Sequence, residues 1–207
     1  MKIEAIEQTR SVQGKLRVRF DCGERLLVLP SVIAELGLYV GMELPDAALQ
    51  SLKETNATAS ARERAVRILS ATPVTKRELL HRLMQKGETE EDALAAVAWL
   101  EELNLLDDRA VAEGIVRSGI AKGYGEARIR QMLYEKRVPK SLWEAALEQI
   151  PPLDDAIDAF LAKRFKGKTP DRAECKRATD ALLRRGHRWS EIKLALERYA
   201  PDEVFED

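Results

Sequence analysis

The chain has 207 residues, room for one large domain or several modules of about 50 residues. Its 34 Lys and Arg against 35 Asp and Glu give a net charge of -1, which excludes a histone-like tail and leaves local charge to decide whether a polyanion is bound. Eleven Gly and eight Pro without a period exclude a collagenous chain, and the longest apolar runs, such as Leu26 to Leu29, are too short to span a bilayer.

The N-terminus, Met1-Lys2-Ile3-Glu4, lacks the apolar core of a signal peptide, so the expected compartment is the cytoplasm. Leu16, Val18 and Phe20 alternate with Lys15, Arg17, Arg19 and Asp21, a period of two that predicts a half-buried strand. The turn Asp21-Cys22-Gly23-Glu24 leads to a second run, Arg25 to Leu29, which completes a β-hairpin, and Ile3 to Gln8 adds a third strand before a turn near Gln13-Gly14. Pro30-Ser31 opens a short helix stopped by Gly37, and Pro45-Asp46 opens another with Ala48, Leu49 and Leu52 on one face. The small polar stretch Asn56 to Ser60 reads as a linker, and Ser60 with Glu63 three residues on as a capping box.

From Ser60 the pattern is helical and repeats. Lys76 to Gly87 has a counterpart 50 residues on, Glu126 to Arg137, with Ile129 for Leu79, Leu133 for Leu83 and Lys136 for Lys86. A third copy follows 49 residues later, with Ala178, Leu182 and Arg185, then Gly186 where the first has Gly87. Each copy is preceded by a helix (Arg62 to Leu69, Ala110 to Ser118, Ala156 to Phe165). Each is followed by another, marked by Ala93, Val97 and Leu100, by Trp143, Leu147 and Ile150, and by Ile192, Leu196 and Tyr199. The expected fold is therefore mainly α: three tandem three-helix units in an elongated arrangement behind a small β-hairpin/α extension. The boundaries are 1–57, 58–107, 108–152 and 153–207, with Pro151-Pro152 an extended joint crossed by few contacts.

Catalytic chemistry finds no footing in the residues. Cys22 and Cys175 stand 153 positions apart and read as thiols, His81 and His187 are solvated or capping, and no metal cluster, phosphate loop or nucleophile–base pair appears. The expectation is a protein that is no enzyme and carries no metal or cofactor.

Charge is distributed by segment. Glu88 to Asp108 holds eight acids and no base, Arg109 to Lys140 eight bases against three acids, and Lys163 to Arg198 twelve against five, before an acidic tail after Pro201. Two basic units in tandem favour a polyanion or an acidic protein groove over mere solvation of helices. The candidate partner- and DNA-binding residues are Arg109, Arg117, Lys122, Arg128, Arg130 and Lys136 in the second unit. In the third they are Lys163, Arg164, Lys166, Arg184, Arg185 and Arg188. Gly123-Tyr124-Gly125, before a helix start, suits either an anion or a tight helix connection. Tyr124, Phe165 and Trp189 lie near bases, but core or staple roles (Trp189 before a Ser190 cap) fit most rings better than base stacking.

Ala61-Arg62-Glu63-Arg64-Ala65-Val66-Arg67-Ile68-Leu69-Ser70, Thr75 to Gly87 and Leu105-Leu106-Asp107-Asp108-Arg109-Ala110-Val111-Ala112 resemble the RecX family of recombinase modulators. Gly125 to Leu133 and Lys136-Arg137-Val138 continue the resemblance, which extends from Ser60 to Ile150 and more loosely to about Ala200. It implies a non-catalytic protein that lies in the groove of the RecA–DNA filament and limits ATP hydrolysis, strand exchange and co-protease activity. Repeats with exposed basic faces suit a monomer, and the contact expected with single- or double-stranded DNA is weak and sequence-independent. Arg137 departs from the family's usual glycine, so that helix end needs another cap. The competing expectation is an autonomous DNA-binding module of helix-turn-helix type, with Gln131 the best-placed base reader.

Overall fold

The computed structural model describes residues 1–9, 14–151 and 154–200, and within them the protein is mainly helical with a small N-terminal antiparallel sheet. The chain divides into two compact units, one of residues 1–73 and 79–106, the other of residues 74–78 and 107–207. Gln13, Pro152 and the acidic tail after Pro201 lie outside the described residues.

In the first unit β1 (Ile3–Gln8), β2 (Leu16–Phe20) and β3 (Arg25–Val28) form a meander in that order, with Leu16 opposite Val28 and Arg19 opposite Arg25. The period-two pattern sets the faces: Val18 and Phe20 are fully buried against Ile3, Val32 of α1 (Pro30–Glu35) and Leu49 and Leu52 of α2 (Asp46–Ala71).

Helix α2 overturns the expected linker at 56–60, because it runs unbroken through that segment. Its small polar residues are tertiary contacts. Asn56 Oδ1 accepts from Leu29 N at 3.0 Å and its Nδ2 donates to Leu27 O at 2.9 Å, satisfying backbone groups where β3 ends. Ser60 is no helix cap; its hydroxyl accepts from Lys15 Nζ at 2.8 Å in mid-helix. Ala57, Ala59 and Ala61 around them are strong helix formers, so the helix keeps its course between these bonds.

Helix α3 (Lys76–Gln85) buries Leu79 and Leu83, and α4 (Glu90–Glu102) buries Ala93, Val97 and Leu100. Thr89 caps α4 by accepting from Asp92 N at 3.1 Å. In the second unit α5 (Asp108–Ala121), α6 (Glu126–Glu135), a 3-10 turn (Lys140–Leu142) and α7 (Trp143–Leu147) enclose Val116, Ile129, Leu133, Val138 and Leu147. Then α8 (Asp154–Phe165), α9 (Arg172–Arg184) and α10 (Trp189–Glu197) enclose Ile157, Leu161, Leu182, Ile192 and Leu196.

One aromatic expectation changes, at Trp189, and the core role expected of most rings is met at Phe165. Ser190 lies inside α10 rather than capping it: Arg188 is the N-cap, its N–H donating to Glu191 Oε2 at 3.0 Å, so Trp189 is the first helical residue, exposed, and no staple. Phe165 is buried, edge-on to Tyr199 at 5.6 Å between ring centres.

The repeat is real at the level of single hydrogen bonds. Gly87, Arg137 and Gly186 all have positive φ, of 90°, 54° and 85°. Each donates its N–H to the carbonyl three residues back (Met84, Tyr134, Leu183), and the next residue donates to Leu83, Leu133 or Leu182. This paired closure of a helix C-terminus recurs in all three middle helices.

Candidate partner-binding surface

The candidate residues fall into two groups once their neighbours are seen. Lys122, Arg128, Lys136, Lys163, Arg164, Lys166 and Arg184 are exposed. Lys122 and Lys136 are the terminal caps of α5 and α6, and Lys163 and Arg164 stand in the last turn of α8, where helix dipoles favour cations. Arg128 has only a loose 3.9 Å pairing with Glu135. Arg109 and Arg117, also exposed, both reach Glu113, at 3.2 and 3.8 Å.

Arg130, Arg185 and Arg188 have close partners within the protein instead, and Arg188 joins the end of α9 to α6. Arg130 Nε donates to Glu126 Oε1 at 2.7 Å, and its Nη1 and Nη2 reach Glu144 at 3.0 and 3.4 Å. Arg188 Nη2 donates to the second oxygen of Glu126 at 2.9 Å. These bonds, that of Arg130 first, hold the Glu126 carboxyl below its usual pKa, and the bonds to Glu144 and Glu126 raise that of Arg130. The Arg185 guanidinium lies 4.8 Å from the centre of the Phe160 ring.

The backbone closes the same joint. Gly125 N donates to Arg185 O at 2.9 Å and Ala127 N to Gly186 O at 3.3 Å. A Cβ on Gly125 would overlap the Gly186 carbonyl, and one on Gly186 would overlap the Arg128 amide. This settles the two readings of Gly123-Tyr124-Gly125. At the start of α6 the N–H groups of Gly125, Ala127 and Arg128 are taken by protein carbonyls, and the glycines serve close packing. The contacts that cross between the second and third three-helix segments are close ones, glycine backbone against glycine backbone.

His187 completes the joint. The expectation of a solvated or capping histidine is half right: it is buried, and its Nε2 lies 3.1 Å from Gly123 O at the end of α5. That carbonyl can only accept, so Nε2 carries the hydrogen. Nδ1 is buried without a protein partner among the described residues. Burial pushes the His187 pKa below its ordinary value; the bond to Gly123 and nearby Glu191 oppose this, and Arg185 adds to it.

A matching contact lies at the start of α3. Thr75, fully buried, donates its hydroxyl to Lys136 O at 3.0 Å and accepts from Glu78 N at 3.1 Å. Arg137 Nε pairs with Glu78 Oε2 at 3.3 Å, which is how the non-glycine end of α6 is held. Sequence reasoning missed these couplings. Their one legible signal was the pair of glycines 61 positions apart, Gly125 and Gly186, each at a helix end.

Other candidates resolve simply. Gln131 Nε2 donates to Glu135 within α6 at 3.1 Å, a local bond that offers nothing to the helix-turn-helix reading. Cys22 is exposed and Cys175 buried, and neither is in a disulfide among the described residues. Among the described residues no group of His, Cys, Asp and Glu could hold a metal ion, and no helix is long and apolar enough to cross a membrane.

Residues 107–147, which cover α5 to α7, match the family model described as RecX, second three-helix domain. The chain is 38% identical over 141 residues to regulatory protein RecX of Vibrio parahaemolyticus, spanning 67% of this chain and 91% of that one. It is 36% identical over 141 residues to regulatory protein RecX of Vibrio campbellii, with the same coverage. A crystal structure of regulatory protein RecX has the same fold, with a TM-score of 0.63 at 24% identity over 94% of this chain and 98% of the other.

Proposed function

The chain belongs to the RecX family, and from that premise we propose that it is a non-catalytic regulator of the RecA recombinase. It works in the cytoplasm as a monomer, seated in the groove of the RecA–DNA filament, where it limits ATP hydrolysis, strand exchange and co-protease activity. The observation that carries this reading is the 38% identity with a RecX protein over 141 residues, joined to cationic side chains left exposed on α6, α8 and α9. Contacts to successive protomers act as linked modules, so modest contacts add to a tight grip.

The residues that hold the partner are the exposed set: Arg128 and Lys136 from α6, Lys163, Arg164 and Lys166 from the end of α8, and Arg184 from α9. Arg109, Arg117 and Lys122 on α5 add to it. Arg130, Arg185 and Arg188 act one step back: Arg188 ties the end of α9 to α6 through Glu126, Arg130 orients that carboxylate and ties α6 to α7, and Arg185 packs on Phe160 of α8. DNA is touched weakly and without sequence preference, through phosphates, with a steep loss of binding as salt rises.

The test is RecA ATPase on single-stranded DNA, titrated with this protein. A dose-dependent fall in turnover is expected, and unchanged turnover at excess protein refutes the reading. Replacing Arg128 and Lys136 by Glu should weaken inhibition by about tenfold or more, since reversed charge against an acidic groove costs upwards of about 1.4 kcal/mol. Arg130 is left intact in that variant, because its loss would disturb Glu126 and Glu144 as well.

A further inference from the structure

The middle helices α3, α6 and α9 share one feature that neither their core packing nor their closure requires. In each, the residue four before the left-handed position (Leu83, Leu133, Leu182) is fully buried. The next residue is large, apolar and exposed: Met84 at 43%, Tyr134 at 67% and Leu183 at 44%. Their spacings, 50 and 49 residues, are those of the repeat. A lone exposed apolar side chain needs no explanation; three at one register do. The helix closure uses only the backbone carbonyl of this residue, so any side chain would serve it.

The surroundings are basic as well, though not at one register. Exposed bases stand on each of these helices or at its C-terminal end: Arg77 and Lys86, Arg128 and Lys136, Lys176 and Arg184. That holds even for α3, although the helix after it opens with Glu90, Glu91 and Asp92. An apolar side chain among bases suits an apolar cleft rimmed by carboxylates. Stacking on nucleic-acid bases does not fit, because only one of the three side chains has a ring.

We propose that Met84, Tyr134 and Leu183 are equivalent anchors, each inserted into the same acidic-rimmed apolar cleft on one protomer of a protein polymer. This rests on the reading above, in which that polymer is the RecA filament. A repeated anchor on a repeated module finds its complement on a partner that is itself repeated, and the anchors then share one chemistry while the bases around them supply encounter and orientation.

The experiment measures binding of the full chain to RecA assembled on single-stranded DNA, using Met84→Ser, Tyr134→Ser, Leu183→Ser and the triple variant. Each single change should raise Kd by about 5- to 30-fold, the range of an interface anchor, and the triple change by well over 100-fold. Circular dichroism and melting should not move, because the replaced side chains are exposed. Leu94→Ser is the control: Leu94 is 49% exposed, but its counterparts in the repeat are Glu144 and Lys193, and its loss should leave Kd unchanged. A photo-crosslinking residue placed at 84, 134 or 183 should capture one and the same RecA segment. Wild-type binding by the triple variant overturns the anchors and leaves the filament reading standing. Absence of binding by the wild-type chain overturns both. Self-association of the wild type, abolished in the triple variant, assigns the anchors to a second copy of this chain and overturns the proposal.

Discussion

The ends of α6 and α9 have the same backbone turn and are docked by opposite chemistry. At the end of α9 the left-handed residue is Gly186, and main chain meets main chain: Gly125 N donates to Arg185 O, with no room for a Cβ on either glycine. At the end of α6 the left-handed residue is Arg137, and the equivalent carbonyl, Lys136 O, takes the Thr75 hydroxyl, while Arg137 reaches Glu78. The end of α3 solves the problem a third way, with Arg64 Nη1 donating to Lys86 O at 2.9 Å. The left-handed dihedral alone does not demand glycine, as Arg137 shows. At Gly186 the neighbouring chain leaves no room for a Cβ, whereas at Gly87 nothing lies within 4 Å of one and glycine answers to the dihedral alone.

The largest expected effect tests that statement directly. Gly186→Ala places a Cβ into the Arg128 amide and in a left-handed conformation as well, and should cost about 3 kcal/mol or more. Gly167→Ala, at φ 76° with nothing near its Cβ, should cost only the dihedral penalty of about 1 kcal/mol. Chemical denaturation gives the difference, and hydrogen exchange at Gly125 and Ala127 should rise in the first variant alone. Equal costs for the two would show that φ, not the neighbour, governs the site. Next in size is Thr75→Val, which removes the donor to Lys136 O and the acceptor for Glu78 N in a buried place, for about 2 kcal/mol. Thr75→Ser should recover most of it, and a Ser variant as unstable as Val would remove the hydroxyl from the account.

These contacts also mark the limit of what could be read from the residues. The three-strand meander, the repeat and its buried positions were legible because each follows a period: two for Val18 and Phe20, and the helical spacing of Leu79 with Leu83, repeated at Ile129 with Leu133. Asn56 and Ser60 misled because small polar residues signal a break when nothing is known of their partners; here the partners, Leu27, Leu29 and Lys15, lie across the fold. The basic stripe was legible as charge and not as availability. Arg128 and Arg130 are two positions apart on α6 and alike in sequence, yet one makes only a loose pairing and the other binds two carboxylates. Only tertiary neighbours separate them.

A smaller effect concerns the residue after the left-handed position of α6 and of α9, Val138 and His187, both buried. A histidine whose folded pKa lies below its ordinary value takes up its proton more readily in the unfolded chain. Stability should therefore be level above pH of about 6.5 and fall as pH drops below it, until the folded form also protonates. Denaturation midpoints taken across pH 5 to 8 (a range set by the histidine's unperturbed value) should slope in the wild type and flatten in His187→Val. The stability from Glu126, depressed by Arg130, is present above the ordinary carboxylate range and is lost as pH falls through and below it, so it does not mask the result. An unchanged slope in the variant would place the acid sensitivity elsewhere.

The smallest difference is the most specific test of the contrast between the two helix ends. Arg137 bears a left-handed penalty of about 1 kcal/mol, and its half-exposed ion pair with Glu78 returns a few tenths of that. Arg137→Ala keeps the penalty and loses the pair. Arg137→Gly loses the pair and the penalty together, though a more flexible unfolded chain takes back part of the gain. The glycine variant should thus be the more stable of the two by about 0.5 to 1 kcal/mol and lie close to the wild type. If alanine equals glycine, strain at this position is negligible, and the arginine is held by Glu78 against no opposing cost. If glycine is clearly worse than alanine, the end of α6 depends on a side chain at position 137 whatever its charge, and the analogy with Gly186 fails there.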